Sequence, residues 1–146
     1  MAYVLDAFIG PADTLKQQIL QLPNTKLVLL EQGIAMAPIQ YAVPRPKAMK
    51  PFWSLTNELF QLGGRLSATG PIGYFEIELF GGTGEYAAVL WKNQQAVFGP
   101  IMSEDSSAVS NQLFALLGVQ KQDKHDEFDA LNLGKHRSSE EWLAAN

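Results

Sequence analysis

The sequence contains no cysteine, which excludes disulfide-stabilised folds, thiol catalysis and zinc sites built on cysteine. It also has no apolar run near the about 18 residues that a membrane-spanning helix needs. Its first residues, MAYVLDAFIG, lack the basic start and the long apolar stretch of a secretory signal peptide. We therefore expect a cytoplasmic protein with no membrane partner.

The motifs of common enzyme classes are missing as well. No serine stands in a G-x-S-x-G pattern, and no H-E-x-x-H pattern is present. An excess of positive charge is also lacking, because the net charge is -4 and the pI is about 5.1. This balance disfavours binding to nucleic acid and suits a basic protein partner. We expect a protein that is not an enzyme and that holds no cofactor.

What the sequence does contain is typical of one globular domain. Hydrophobic residues make up 47% of its 146 residues. Apolar alternation and helical spacing predict six strands and four helices. The predicted strands are 2–9, 26–32, 34–39, 72–80, 84–92 and 95–98, and the predicted helices are 11–22, 51–62, 104–117 and 139–145. The pattern indicates a single α+β domain over residues 1–146, with an antiparallel or mixed sheet and helices packed mainly on one face.

The most distinctive local feature is the glycine cluster GGTG at residues 81–84. A phosphate-binding loop needs a lysine and a following helix, whereas Glu85 and a strand-like segment follow here. Alternating apolar residues stand on both sides of the cluster, as in a β-hairpin. We therefore predict a turn in which Gly81, Gly82 or Gly84 takes a positive φ.

Glu76 and Glu78 are the first candidates for chemistry, because residues two apart on a strand project from the same face. Two adjacent carboxylates suit a metal site or an acid–base pair. Such residues more commonly form a solvated outer face, because antiparallel sheets often expose one side, and a third interpretation is an acidic strip that binds a basic partner. The residues alone do not decide between these three interpretations.

Two charged segments contain further residue types found in binding sites. His125 lies beside Asp126 and Asp129, as some metal ligands do, and Arg45 and Lys47 alternate with prolines in a segment suited to an anion. Charged runs of this kind are more commonly solvated loops. We therefore expect neither segment to form a site.

Residues 74–91, YFEIELFGGTGEYAAVLW, resemble a segment of small, mostly uncharacterised bacterial proteins. Some of those proteins belong to toxin–immunity gene neighbourhoods. The shared features are the Tyr-x-Glu-x-Glu strand, the Gly-Gly-x-Gly turn, the Ala-Ala pair and the tryptophan after it. The resemblance implies a cytosolic protein that binds and neutralises a partner toxin.

These observations favour a noncatalytic protein-binding module, with a basic protein such as a toxin domain as its partner. We expect the partner to dock on an exposed sheet face that carries Tyr74, Glu76, Glu78, Glu85 and Trp91. The alternative is a metal-binding or small-ligand-binding protein, or an enzyme, that uses Glu76 and Glu78. A small-molecule sensor with an apolar pocket behind the hairpin is a further hypothesis.

Overall fold

One antiparallel sheet of six strands organises the chain. The computed structural model describes residues 2–81 and 83–145. The strands are β1 (Tyr3–Pro11), β2 (Val28–Leu29), β3 (Ile34–Pro38), β4 (Ile72–Phe80), β5 (Thr83–Lys92) and β6 (Gln95–Glu104). They lie in the order β2-β3-β1-β4-β5-β6, so β1 and β4 pair at the centre. The prediction of an α+β fold with an antiparallel sheet is confirmed.

Helices lie between and after the strands. They are α1 (Ala12–Gln18), α2 (Asn57–Leu66), α3 (Ala108–Leu116), α4 (Glu127–Ala130) and α5 (Ser139–Ala144), with single 3-10 turns at Ile19–Gln21, Ser67–Thr69 and Leu133–Lys135. Among the described residues, no helix is both long and apolar enough to cross a bilayer.

Apolar residues of the sheet alternate between two separate hydrophobic clusters. Phe8 belongs to the cluster that contains Leu15 and Leu55, whereas Ile9 belongs to the cluster that contains Leu113. Because neighbouring residues of a strand point to opposite faces, the clusters lie on opposite sides of the sheet. We call the side with Leu15 and Leu55 the α2 face and the other side the α3 face. Helices therefore cover both faces, whereas the sequence had predicted cover mainly on one.

The hairpin prediction is confirmed. β4 and β5 pair antiparallel from Ile72↔Trp91 to Phe80↔Thr83, and the turn that joins them contains Gly81. Gly81 has a φ of +53°, a conformation that glycine adopts without steric cost. Gly82 lies outside the described residues. Gly84 is in β5, where a Cβ atom would come within 2.6 Å of Leu79 Cδ2, so its small size serves packing.

Helix α2 begins six residues later than the sequence predicts. Pro51 was expected to open it, but its N-cap is Thr56, whose hydroxyl accepts a hydrogen bond of 3.2 Å from the Leu59 amide. The helix also continues through Gly63 and Gly64 instead of ending there. The reason is a tertiary contact: the Trp91 indole packs against Gly63 and leaves no room for a side chain at this position of the helix.

The other differences are a short helix that the sequence did not predict, α4 (Glu127–Ala130), and shifts at the ends of elements. β6 continues to Glu104, so α3 begins at Ala108 rather than at residue 104. β2 retains only Val28 and Leu29 of the strand predicted over 26–32. The final helix agrees with its prediction, and the Ser138 hydroxyl accepts the Glu141 amide at 3.0 Å.

Candidate functional site

Three of the five residues predicted to contact a partner are in the core. Tyr74 and Glu76 are 0% exposed and Trp91 is 2% exposed. They lie on the α2 face, where α2 and the segment before it cover the middle of the sheet. The expectation that all five share an exposed face is therefore wrong for these three. Glu78 is half-buried and Glu85 is exposed, beyond the end of that cover.

The buried Glu76 carboxylate holds the segment that precedes α2. Its Oε1 accepts the amides of Trp53 at 2.9 Å and Ser54 at 3.3 Å, and its Oε2 accepts the amide of Leu55 at 2.7 Å. Oε2 also accepts the hydroxyl of Tyr74 at 2.6 Å. These four donors suit an ionised carboxylate, which only accepts hydrogen bonds. Glu76 thus anchors the chain that covers the α2 face.

A chain of hydroxyl groups leads from Glu76 toward the surface. The Tyr41 and Tyr74 hydroxyl oxygens are 2.8 Å apart. Because Tyr74 donates its one proton to Glu76, Tyr41 must be the donor to Tyr74. Burial raises the pKa of both phenols, so both stay protonated at neutral pH. The order of donation is therefore Tyr41, Tyr74, Glu76.

Asp6 is a second buried carboxyl group, directly opposite Glu76 across β1 and β4. It is 4% exposed, and its Oδ1 has no hydrogen-bond partner in the described structure. Burial raises the pKa of Asp6 well above its ordinary value, and the Glu76 charge raises it further, while Arg45 and Ser54 lower it in part. Burial also raises the pKa of Glu76, but the hydrogen bonds from Tyr74 and the three amides oppose that effect. Glu76 therefore ionises before Asp6 as the pH rises.

A cavity of about 180 Å³ lies beside Asp6. We call it the Asp6 cavity. Its inner wall contains the buried Asp6, Ile39 and Ser139, and its exposed rim contains Val43 and Arg45. The Ser139 hydroxyl is bonded to the Asp6 backbone, with the Asp6 amide donating to it at 3.0 Å. The cavity is therefore a recess that opens to solvent and has the buried Asp6 in its inner wall.

A row of glutamates crosses the uncovered end of the same sheet face. Glu78 pairs directly with Glu85, and Glu85 pairs directly with Glu104. We call Glu78, Glu85 and Glu104 the acidic row. They line a shallow recess of about 290 Å³ together with Phe80 and Asp105. Side chains directly opposite on adjacent strands lie about 5 Å apart, and like charges at such positions destabilise a sheet.

The described residues contain no group of three or more histidine, aspartate or glutamate side chains placed to hold a metal ion. The buried partner of Glu76 is Asp6 rather than Glu78, so the predicted Glu76–Glu78 pair does not form as a unit. Asp126 caps α4 by accepting the Asp129 amide at 2.8 Å, in a largely exposed segment that also contains His125.

An open groove of about 390 Å³ lies on the α3 face of the hairpin, lined by Leu79, Tyr86 and Asp105 among others. Leu79 and Tyr86 are only half-buried there. The groove is thus a surface feature, and it differs from the enclosed apolar pocket that a small-molecule sensor would use.

Sequence reasoning missed Asp6, Tyr41 and Glu104 as site residues. The signal for Asp6 was present, because it is the one charged residue in the apolar run AYVLDAFI of β1. Glu104 was assigned to a helix, and only the strand register brings it beside Glu85.

Comparisons with protein-family models, curated proteins and solved structures found no match to this chain. The likeness of residues 74–91 to proteins of toxin–immunity gene neighbourhoods stays a prediction.

Proposed function

We propose that this protein is a noncatalytic binding module whose acidic row docks a basic partner protein. The observation that carries the proposal is the register Glu78↔Glu85↔Glu104, which places three carboxylates side by side on one face. A basic partner would neutralise charges that repel one another in the free protein. The described residues provide no metal cluster there to do so.

Apolar side chains beside the acidic row support the same function. Phe80 is 50% exposed and Met102 is 38% exposed. Both lie on the face of the acidic row, since Met102 pairs with Ala87 and Phe80 is two residues from Glu78. Exposed aromatic and methionine side chains are enriched in protein interfaces, where they provide contact area that charges do not.

The resemblance of residues 74–91 suggests the kind of partner. A toxin domain that acts on nucleic acid has a basic surface, because phosphate neutralisation provides most of its affinity. An acidic row that covers such a surface would block the toxin in the cytoplasm. We therefore propose an immunity function, with the product of a neighbouring toxin-like gene as the first partner to test.

The test compares two variants with equal loss of charge. One carries Glu78→Gln, Glu85→Gln and Glu104→Gln, and the control carries Glu31→Gln, Glu58→Gln and Asp123→Asn at exposed positions elsewhere. Association with a labelled octa-arginine peptide, and with the co-expressed neighbouring gene product, is measured by stopped-flow fluorescence at several salt concentrations. We expect the acidic-row variant to associate about tenfold more slowly at low salt and the control to stay near the parent.

Equal slowing in both variants would contradict the proposal, because net charge rather than the acidic row would then govern binding. Melting temperatures of all three proteins are compared first. Glu85 and Glu104 are exposed and Glu78 is half-buried, so we expect each variant to fold.

A further inference from the structure

One oxygen of the buried Asp6 carboxyl group has no hydrogen-bond partner in the described structure. A buried carboxyl oxygen without a hydrogen bond costs about 1–3 kcal/mol. Asp6 Oδ1 is in that state although the side chain lines a cavity that opens to solvent. The hydroxyl of the fully buried Ser54 also makes no hydrogen bond of ordinary geometry, although it lies close enough to Asp6 to lower the pKa of that carboxyl. An unsatisfied buried polar group requires an explanation, and a bound cation that completes the hydrogen bonding is one.

The charges around the cavity favour a positively charged group. The titratable side chains that face Asp6 are Tyr74, Glu76 and Glu78 on β4, Tyr41 and Arg45 in the segment before α2, and Glu140 at the start of α5. Three of these six are carboxylic acids, and Arg45 is the one cation among them. Arg45 is exposed at the rim and does not bond Oδ1.

The cavity and the acidic row are neighbours on the same face of the sheet. Val4, which lines the cavity, pairs directly with Glu78, so the cavity lies one strand beyond the row on the same face. A segment that follows Glu104, Glu85 and Glu78 across the strands would next reach Val4, which is two residues from Asp6 on the same face of β1.

We propose that the Asp6 cavity receives the guanidinium or ammonium group of one arginine or lysine side chain of the basic partner, with Asp6 as its counterion. The inference rests on the proposed function, because it assigns the anchor of the same docking face. Binding releases protons from Asp6 to solvent, because burial raises the pKa of the free carboxyl and a bound cation lowers it. The affinity therefore rises with pH, by up to about tenfold per pH unit while Asp6 is protonated in the free protein.

The first experiment uses N-acetyl-L-arginine N-methylamide as the probe and its citrulline counterpart as a neutral control of the same shape. Binding is measured by titration calorimetry between pH 5.5 and pH 8, in buffers of different ionisation enthalpy that count released protons. We expect the arginine probe to bind with proton release and the citrulline probe to bind at least tenfold more weakly. Absence of arginine binding, or binding without proton release, would overturn the inference.

Variants identify the site. Asp6→Asn should weaken arginine binding at least tenfold, whereas Asp123→Asn, an exposed aspartate in the loop before α4, should not change it. Arg45→Met should strengthen binding because a like charge leaves the rim. Weaker binding in Arg45→Met, or tighter binding of N-acetyl-glutamate N-methylamide than of the arginine probe, would show an anion site and overturn the inference. If Asp6→Asn fails to fold, the number of protons that the parent protein releases when it binds the arginine probe still tests the inference.

The two proposals fail separately. If octa-arginine association depends on the acidic row but the single arginine probe does not bind, the proposed function stands and the cavity assignment is wrong. If the arginine probe binds at Asp6 while the acidic row has no effect on octa-arginine, the cavity binds cations but the docking face is wrong.

Discussion

At the scale of single residues, Glu76 has the densest hydrogen bonding on the α2 face. Its two oxygens accept three backbone amides and one phenol, all buried or partly buried. We predict that Glu76→Gln lowers the free energy of unfolding by about 2 kcal/mol or more, because an amide nitrogen would face donors that then lose their acceptor. Urea denaturation monitored by tryptophan fluorescence measures the change.

Glu78→Gln is the matched control on the same strand. Glu78 is half-buried and faces Glu85, so removing its charge relieves repulsion and should change the free energy of unfolding by less than about 0.5 kcal/mol. Equal effects of the two substitutions would contradict the anchoring role of Glu76. Because Glu76 is buried where it anchors this segment, a partner cannot contact its charge.

The ionisation of Asp6 should make the stability of the folded protein depend on pH. Its pKa in the folded protein is raised well above the ordinary value of 3.8. Its contribution to stability is therefore complete below about pH 4 and is lost as the pH rises through the raised value. We predict that the parent loses stability on going from pH 4 to neutral pH relative to Asp6→Asn, which carries no such ionisation.

The difference between the two urea midpoints at each pH isolates Asp6 from the other carboxylates. A difference that stays constant between pH 4 and pH 8 would show that Asp6 has an ordinary pKa. Glu76 also has a raised pKa, so some downward slope should remain in Asp6→Asn.

At the scale of elements, helix α2 contains two adjacent glycines in different environments. A Cβ atom on Gly63 would overlap the Trp91 indole, whereas one on Gly64 would lie 3.6 Å from Trp91 Cδ1, an ordinary contact. We predict that Gly63→Ala destabilises the protein, because overpacking costs about 1–3 kcal/mol and exceeds the gain in helix propensity.

Gly64→Ala should stabilise the protein by about 0.5–1 kcal/mol, since alanine favours the helix and meets no clash. Thermal melting of the two variants against the parent measures both changes. If Gly63→Ala melts at or above the temperature of Gly64→Ala, the indole does not pack on α2 as described.

At two element boundaries, tertiary contacts rather than the local sequence pattern determine where the element begins or ends. The stripe Phe52, Leu55, Leu59 and Leu62 predicts a helix from residue 51, but Glu76 takes the amides of residues 53–55 and the helix starts at Asn57. β6 continues past its predicted end because β5 offers a partner strand up to Glu85. A side chain distant in sequence determined the first boundary, and strand pairing determined the second.

At the scale of the whole molecule, the net charge of -4 opposes the binding of phosphate ligands. The glycine cluster lies where β4 turns into β5, beside the acidic row, and the segment after it is a strand rather than a helix. We predict that calorimetric titration with ATP, GTP or NAD shows no heat beyond dilution. Micromolar binding of any of these nucleotides would contradict the proposal of a noncatalytic module.

The sequence by itself determined the α+β class, the β4–β5 hairpin and the final capped helix. These features depend on contacts between residues close in the chain, such as the alternation in β4 or the Ser138–Glu141 cap. The sequence also identified Glu78 and Glu85 as members of a charged face, because their positions in the hairpin follow from its turn.

Only the tertiary structure decided which side of each strand is covered. Glu76 and Glu78 have the same period-2 signal, yet one is buried by the segment before α2 and the other lies beyond its reach. The pairing of Asp6 with Glu76, and of Glu85 with Glu104, joins residues separated by 70 and 19 positions in the chain. Strand order and register place these residues side by side, and neither can be predicted from a local sequence pattern.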